Sequence, residues 1–444
     1  MNRPVVGGSR RPSWTASVTA VVLLLGATAA LWRPAPAQGT PDRPTTTSGT
    51  LPDRIGVPVI GTLHVADRPR LGPAAVLFSG RANGLTGGDE DGVVGVVSAD
   101  ADRYRQFEAG FEAPAGEQVL LSPDGRVVVY PGAERDRGCV ELVDLVSGDT
   151  KCVAGPTPQS VVTVPIGWSG DGSRLVVREM VPVNPERSAF DSVLSIVELE
   201  GRRTHQLARG RVGNGPLSYD GFTVAFAPDG RRLAYQMSGR ITVTDLDGRQ
   251  VSSFAVSAGT RLAGKGAWTP DGNALSVVEG EDGAWSLRHV DPATGTPAAG
   301  TVVPSVPGVT AIRLLGWHPD GSAVVVAYDP TPSAIGDGTA YDNVRTIRVL
   351  ALTPGAAAPA TLLTAPDQVL AIDVADGVVR GGVVRSADPP SGVGPWLWFW
   401  AGLVGAAVAL YVSRRRWMGW FGRLSGRWRV PARPLLARWG GGTS

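Results

Sequence analysis

One short phrase returns five times through the middle of the chain, and it limits the possible folds more than any other feature of the 444 residues. Leu121-Ser122-Pro123-Asp124-Gly125-Arg126-Val127 recurs as Trp168-Ser169-Gly170-Asp171-Gly172-Ser173-Arg174 and as Phe226-Ala227-Pro228-Asp229-Gly230-Arg231-Arg232. It recurs again as Trp268-Thr269-Pro270-Asp271-Gly272-Asn273-Ala274 and Trp317-His318-Pro319-Asp320-Gly321-Ser322-Ala323. The aspartates stand 47, 58, 42 and 49 residues apart, the interval of solenoid repeats and propeller blades.

Each copy reads as a tight turn. Proline presets φ at the first corner, aspartate bonds its own backbone, and glycine takes the positive φ that closes the turn. The strand that follows is apolar on nearly every residue, as in Val127–Tyr130, Leu233–Tyr235 and Val324–Tyr328, so both of its faces must be covered. A second turn lies downstream of most copies, at Val143–Gly148, Thr244–Gly248 and Val290–Gly295, with weaker versions at Glu198–Gly201 and Leu352–Gly355. Two turns per unit separate about four strands, the content of one blade.

The phrase resembles the Pro-Asp-Gly repeat of TolB-type, WD40-like β-propellers. That resemblance covers roughly residues 117–352 and implies a disc of four-stranded blades around a central channel. Gly170 stands where the repeat usually has proline, and no unit carries the Trp-Asp pair that ends eukaryotic-type WD40 repeats. The fold class is therefore all-β, a propeller over residues 54–388 with six or seven blades. Ala74–Gly80 with Gly92–Ser98, and Gln368–Val374 with Gly377–Arg385, read as divergent first and last units, which favours seven. Pairing of Arg54–Val65 with the last unit would close the ring and leave no free edge.

Hydrophobic segments flank the propeller. Residues 1–13 carry Arg3, Arg10 and Arg11 and no acid, and residues 14–32 read as a transmembrane anchor or a signal segment with an Ala35-Pro36-Ala37 cleavage site. No cysteine lies near this segment, which excludes a lipoprotein. Residues 33–53, rich in Pro, Thr, Gly and Ser, read as a flexible linker. Residues 394–413 read as a second transmembrane helix, opened by Trp396, Trp398 and Trp400 and followed by Arg414, Arg415 and Arg416, so the span should run from outside to inside. Residues 414–444 hold eight arginines, no acid and four tryptophans, and read as a basic cytoplasmic tail lying on anionic lipid. Removing the eleven arginines of the two ends from the chain's net +2 leaves −9 for everything between.

Candidate chemistry is sparse. Cys139 and Cys152 flank one hairpin in a domain expected outside the cytoplasm, which favours a structural disulfide between positions near each other but not directly opposite. The four histidines (His64, His205, His289, His318) are scattered, so no metal site and no cofactor is expected. Gly87–Gly92 is acidic and reads as a hairpin loop before a calcium site. Gly167–Asp171 lacks the last residue of a nucleophile elbow. The residues Pro123, Asp124, Gly125, Asp171, Gly172, Pro228, Asp229, Gly230, Pro270, Asp271, Gly272, Pro319, Asp320 and Gly321 are explained by turn geometry, not as paired catalytic carboxylates.

The function expected from these features is non-enzymatic: a propeller held outside the cytoplasmic membrane as a platform for an envelope protein or polymer. Its partners would be the lipid bilayer and that unknown component, not nucleic acid. The alternatives are a propeller enzyme of lyase, glycosidase or lactonase type working in the channel, and an envelope sensor.

Overall fold

The computed structural model describes residues 49–57, 62–82, 90–108, 114–132, 138–184, 186, 189–201, 203–211, 223–281, 283–331, 344–367, 369–389 and 400–414. These residues form six four-stranded antiparallel sheets and one two-stranded parallel pair. Five sheets are built from four consecutive strands each, and each contains one copy of the repeated turn between its first and second strands. Blade 2 starts at Leu120–Leu121, blade 3 at Val162–Trp168, blade 4 at Val224–Phe226, blade 5 at Thr260–Leu262 and blade 6 at Ala311–Trp317.

Blade 1 is different. Its order from the inside is Val369–Val374, Ala74–Ala82, Glu90–Ser98 and Tyr104–Glu108. The innermost strand is the last long strand of the chain, paired antiparallel with Ala74–Ala82 from Val76↔Val374 to Gly80↔Val369. The divergent first and last units are thus halves of one blade, and the propeller has six blades, not seven. A blade whose first strand arrives from the other end of the chain has no turn linking that strand to its second, which is why six blades carry five copies of the phrase.

Two further expectations are corrected. Arg54–Val65 does not close the ring; within it, Arg54 forms a single bridge to Thr364 and His64 one to Gln106. Gly377–Arg385 is not one strand. Asp376–Gly381 forms a short helix, α1, with the acid in its first turn and Val378 and Val379 buried, and Gly382 ends it at φ 65°. Only Val384–Arg385 is extended, and it pairs parallel with Leu51–Pro52. This side pair is clasped by Arg385 on Asp102, and by Asp53 accepting the Ala387 amide at 2.9 Å.

The repeated turn shows why its residues are fixed. The Asp124 carboxylate accepts the Ser122 hydroxyl at 2.7 Å and the Arg126 amide at 3.1 Å, while the Ser122 hydroxyl accepts the Val127 amide at 2.9 Å. Ser169 with Asp171 and Thr269 with Asp271 repeat this relay. Ala227 and His318 offer no such hydroxyl; there Asp229 accepts the Arg231 amide at 2.8 Å and the Arg232 guanidinium at 3.1 Å, and Asp320 accepts the Ser322 amide at 2.8 Å. Gly125 has φ 73°, and a Cβ there would lie 2.1 Å from the Ala74 carbonyl of blade 1, so the position excludes side chains twice over. The Gly125 carbonyl accepts the Ala74 amide at 2.8 Å.

Blade faces are dry, as the apolar second strands require. Ala323–Tyr328 is buried without a break, and so is Leu233–Tyr235. Aromatic residues that open the phrase stitch neighbours together: the Trp268 indole donates to Ala225 of blade 4 at 3.0 Å, and the Trp317 indole to Trp268 of blade 5 at 2.9 Å. Arg232 of blade 4 lies over the Trp268 ring at 4.7 Å, a cation–π contact.

Cys139 and Cys152 are joined across the outermost hairpin of blade 2, between its third and fourth strands. The register pairs Glu141 with Cys152 and Cys139 with Ala154, so the cysteines are diagonal neighbours with Cα atoms 5.9 Å apart. Segments 1–48, Gly87–Asp89, 390–399 and 415–444, with Arg415 and Arg416, lie outside the described residues. Residues 400–414 are helical and exposed throughout. No helix among the described residues is long and apolar enough to cross a membrane.

Two outcomes test the fold. Ile372→Asp, in the closing strand with no exposure, should cost more than about 4 kcal/mol in urea denaturation, whereas Val251→Asp on an outer strand, 61% exposed, should stay within about 0.5 kcal/mol. Replacing both cysteines by alanine should remove about 3 kcal/mol, the loop-closure value for so short a loop.

Candidate functional site

The innermost strands of all six blades surround a central cavity of about 200 Å³. Its apolar wall includes Ile166, Trp168, Val224, Phe226, Ile312 and Trp285. Its polar wall brings together groups that lie far apart in the chain: Glu117, Arg261, Lys265, Arg313, Tyr328, Asp373 and Asp376. None of these was singled out from the sequence.

Lys265 sits just past the first strand of blade 5. Its ammonium lies 2.9 Å from Asp373 and 2.8 Å from Asp376, and it donates to the Val374 carbonyl at 2.6 Å. Burial by itself would lower the Lys265 pKa, but the two carboxylates outweigh it and hold the amine above its ordinary value. Asp373 is buried and accepts the Leu121 amide of blade 2 at 3.1 Å and the Val374 amide at 3.0 Å. One carboxylate thus ties the closing strand to blades 2 and 5.

Arg313, on the first strand of blade 6, is buried and makes a second tie. Its Nε donates to the Tyr328 hydroxyl at 3.3 Å, and one terminal nitrogen to the Gly116 carbonyl at 2.9 Å. The other donates to the Ile372 carbonyl of the closing strand. Gly116 has φ 83°, and a Cβ there would meet the Arg313 guanidinium at 2.3 Å, so only glycine lets the loop rest on the arginine.

Glu117, next in that loop, is half-buried. Burial pushes its carboxyl up to about 6 against the opposing pull of Arg313 and Arg261. That places the Glu117 carboxyl in the range useful for proton exchange near neutrality.

Of the sequence-derived turn residues Pro123 lines the cavity, and the turn aspartates do not. The aspartates of the repeated turns sit at the blade ends as structural acceptors. Slight burial acts to raise Asp171 and Asp229, but the hydroxyl, amide and arginine donors around them prevail and hold both below the ordinary carboxylate range. The Thr269 hydroxyl and the Asn273 amide do the same for Asp271, and the Ser322 amide for Asp320. Ser169 spends its hydroxyl on that turn. His289 is buried with its ring 3.2 Å from the Ser276 hydroxyl, and burial lowers its pKa. Among the described residues no group of three or more His, Cys, Asp or Glu is placed to hold a metal ion.

No family model and no curated protein matches the chain. Solved structures similar to it include TolB from Acinetobacter baumannii, at 16% identity over 66% of this chain and 67% of that one with a TM-score of 0.34. An oligogalacturonate lyase from Vibrio parahaemolyticus matches at 15% identity over 61% and 71%, with a TM-score of 0.39. The hydrazine synthase of Kuenenia stuttgartiensis matches at 20% identity over 57% and 67%, with a TM-score of 0.34. These structures are what the chain is similar to, and the six-bladed ring is seen in its own strand order. Likeness this distant carries no argument about family, function or partner.

Glu117 makes a testable contribution to stability. Its folded-state pKa lies above that of an unfolded glutamate, so the ionised carboxylate costs stability above pH 6, and the cost vanishes as pH falls toward 4.5. Glu117→Gln should therefore raise stability by roughly 1–2 kcal/mol at pH 7.5 and leave it unchanged near pH 4, measured by urea denaturation at the two pH values.

Proposed function

We propose that this propeller is a non-enzymatic binding platform held at the outer face of a bacterial cytoplasmic membrane. The observation that carries the platform reading is the use made of the strongest charges in the channel. Lys265, Asp373 and Arg313 are all bonded to the closing strand or its neighbours, so they serve the ring's rigidity. A rigid ring presents loops at fixed positions, which is what a docking surface requires.

Membrane attachment is supported by the helix of residues 400–414. Its apolar side chains are exposed, among them Val404, Leu410 and Tyr411 at 60%, 71% and 57%. A water-exposed helix of this composition is costly, and lipid removes the cost. The arginines at 414–416 set the inward end. The excess of acid between the two basic ends, −9 against +11, agrees with a ring outside and both ends inside.

Glu117, with its carboxyl near pH 6, is the observation that favours a channel enzyme as the second reading. That reading requires turnover abolished by Glu117→Gln.

Protease added to sealed cells tests the topology. The ring should be cleaved and a short arginine-rich C-terminal fragment spared. A ring that survives while permeabilised cells lose it overturns the outside placement.

A further inference from the structure

Two charged groups on the cavity wall are not spent on the fold. Lys265 has an acceptor for each of its three donors, and Arg313 has three partners. The Glu117 and Arg261 side chains form no hydrogen bond or ion pair with any described residue, although both residues line the cavity. Arg261 acts electrostatically on Glu117, yet their N and O atoms do not approach within 4.0 Å. Opposite charges thus face one another across a gap that neither side chain closes.

The rest of the wall narrows what could fill it. Glu117, Asp373 and Asp376 balance Arg261, Lys265 and Arg313, three charges of each sign, so the cavity offers no net field to a simple anion or cation. The Trp168 indole N–H is buried without an acceptor. Trp168, Phe226 and Trp285 supply flat apolar surface beside it.

We propose that the central channel binds a small zwitterion, whose ammonium pairs with Glu117 and whose carboxylate pairs with Arg261. Guanidinium and carboxylate match in geometry as well as charge, and an ammonium offers Glu117 the donors it lacks. About 200 Å³ admits a free amino acid or the end of a short peptide, not a folded domain. The inference goes beyond the platform reading and does not depend on the membrane anchor.

Calorimetry on the full-length protein in detergent at pH 7.5 tests it, with alanine and dialanine as probes against ethylamine, propionate and glucose. Alanine or dialanine should bind, and the two single-charge analogues should bind at least tenfold more weakly. Glu117→Gln and Arg261→Gln should each weaken the zwitterion by about tenfold, a loss of about 1.4 kcal/mol. Arg261 is exposed, so its variant keeps the ring intact even if the first does not. Binding should also weaken as pH falls below 6, where Glu117 takes up a proton. A preference for alanine over dialanine assigns a free amino acid, and the reverse assigns a peptide end. Equal binding of ethylamine or propionate, preference for glucose, silence with all probes at millimolar concentration, or full affinity in both variants overturns the proposal. If the protease result stands while binding fails, this inference falls and the platform reading survives.

Discussion

The pairing of Val369–Val374 with Ala74–Ala82 is the contact on which everything else in the molecule depends. Five blades can form from contiguous chain, each hairpin closing on a local turn. Left as an open stack they would present a bare inner edge beside Ala74–Ala82, with unpaired amides and carbonyls at an apolar surface. The closing strand satisfies that edge and converts a stack into a ring. It joins residues about 300 positions apart, but loop-closure entropy grows only with the logarithm of length, so the cost is modest beside a fully buried strand.

The channel charges are arranged around this one strand. Asp373 lies within it and reaches both blade 2 and Lys265 of blade 5, while Arg313 of blade 6 grips the Ile372 carbonyl. Each of these buried ionic groups has its partners in place, which is the condition under which such groups are tolerated in an interior. The same contacts also specify which strand may close the ring, because an apolar strand in that position would leave Lys265 facing Asp376 alone.

What the sequence reveals follows from how local the chemistry is. The turns at Asp124, Asp171, Asp229, Asp271 and Asp320 are complete within seven residues, so they can be read without any knowledge of the rest. A hydroxyl residue stands two places before the aspartate in three copies, but the relay made by Ser122, Ser169 and Thr269 needs the folded turn to aim the side chain. The blade number could not be read this way, because blade 1 is assembled from both ends and its two halves look like two units. The channel site was hidden for the same reason. Its seven polar residues are single letters scattered from Glu117 to Asp376, and only closure makes them neighbours. Two signals pointed to them: Lys265 is one of two lysines in an arginine-rich chain, and Asp373 interrupts an otherwise apolar strand.

Closure and binding are linked through preorganisation. Glu117 sits on a loop whose Gly116 carbonyl is held by Arg313, and Arg313 is held in turn by the closing strand and Tyr328. The loop is therefore fixed before any ligand arrives, and the ordering cost that weakens most small-molecule sites has already been met by folding. The charge pair across the channel gains from the same rigidity. Were the backbone free to move, Glu117 and Arg261 would collapse onto one another and leave nothing for a ligand to bridge. A ring locked by Asp373 and Arg313 keeps them apart, so the contacts that stabilise the fold also keep the site open.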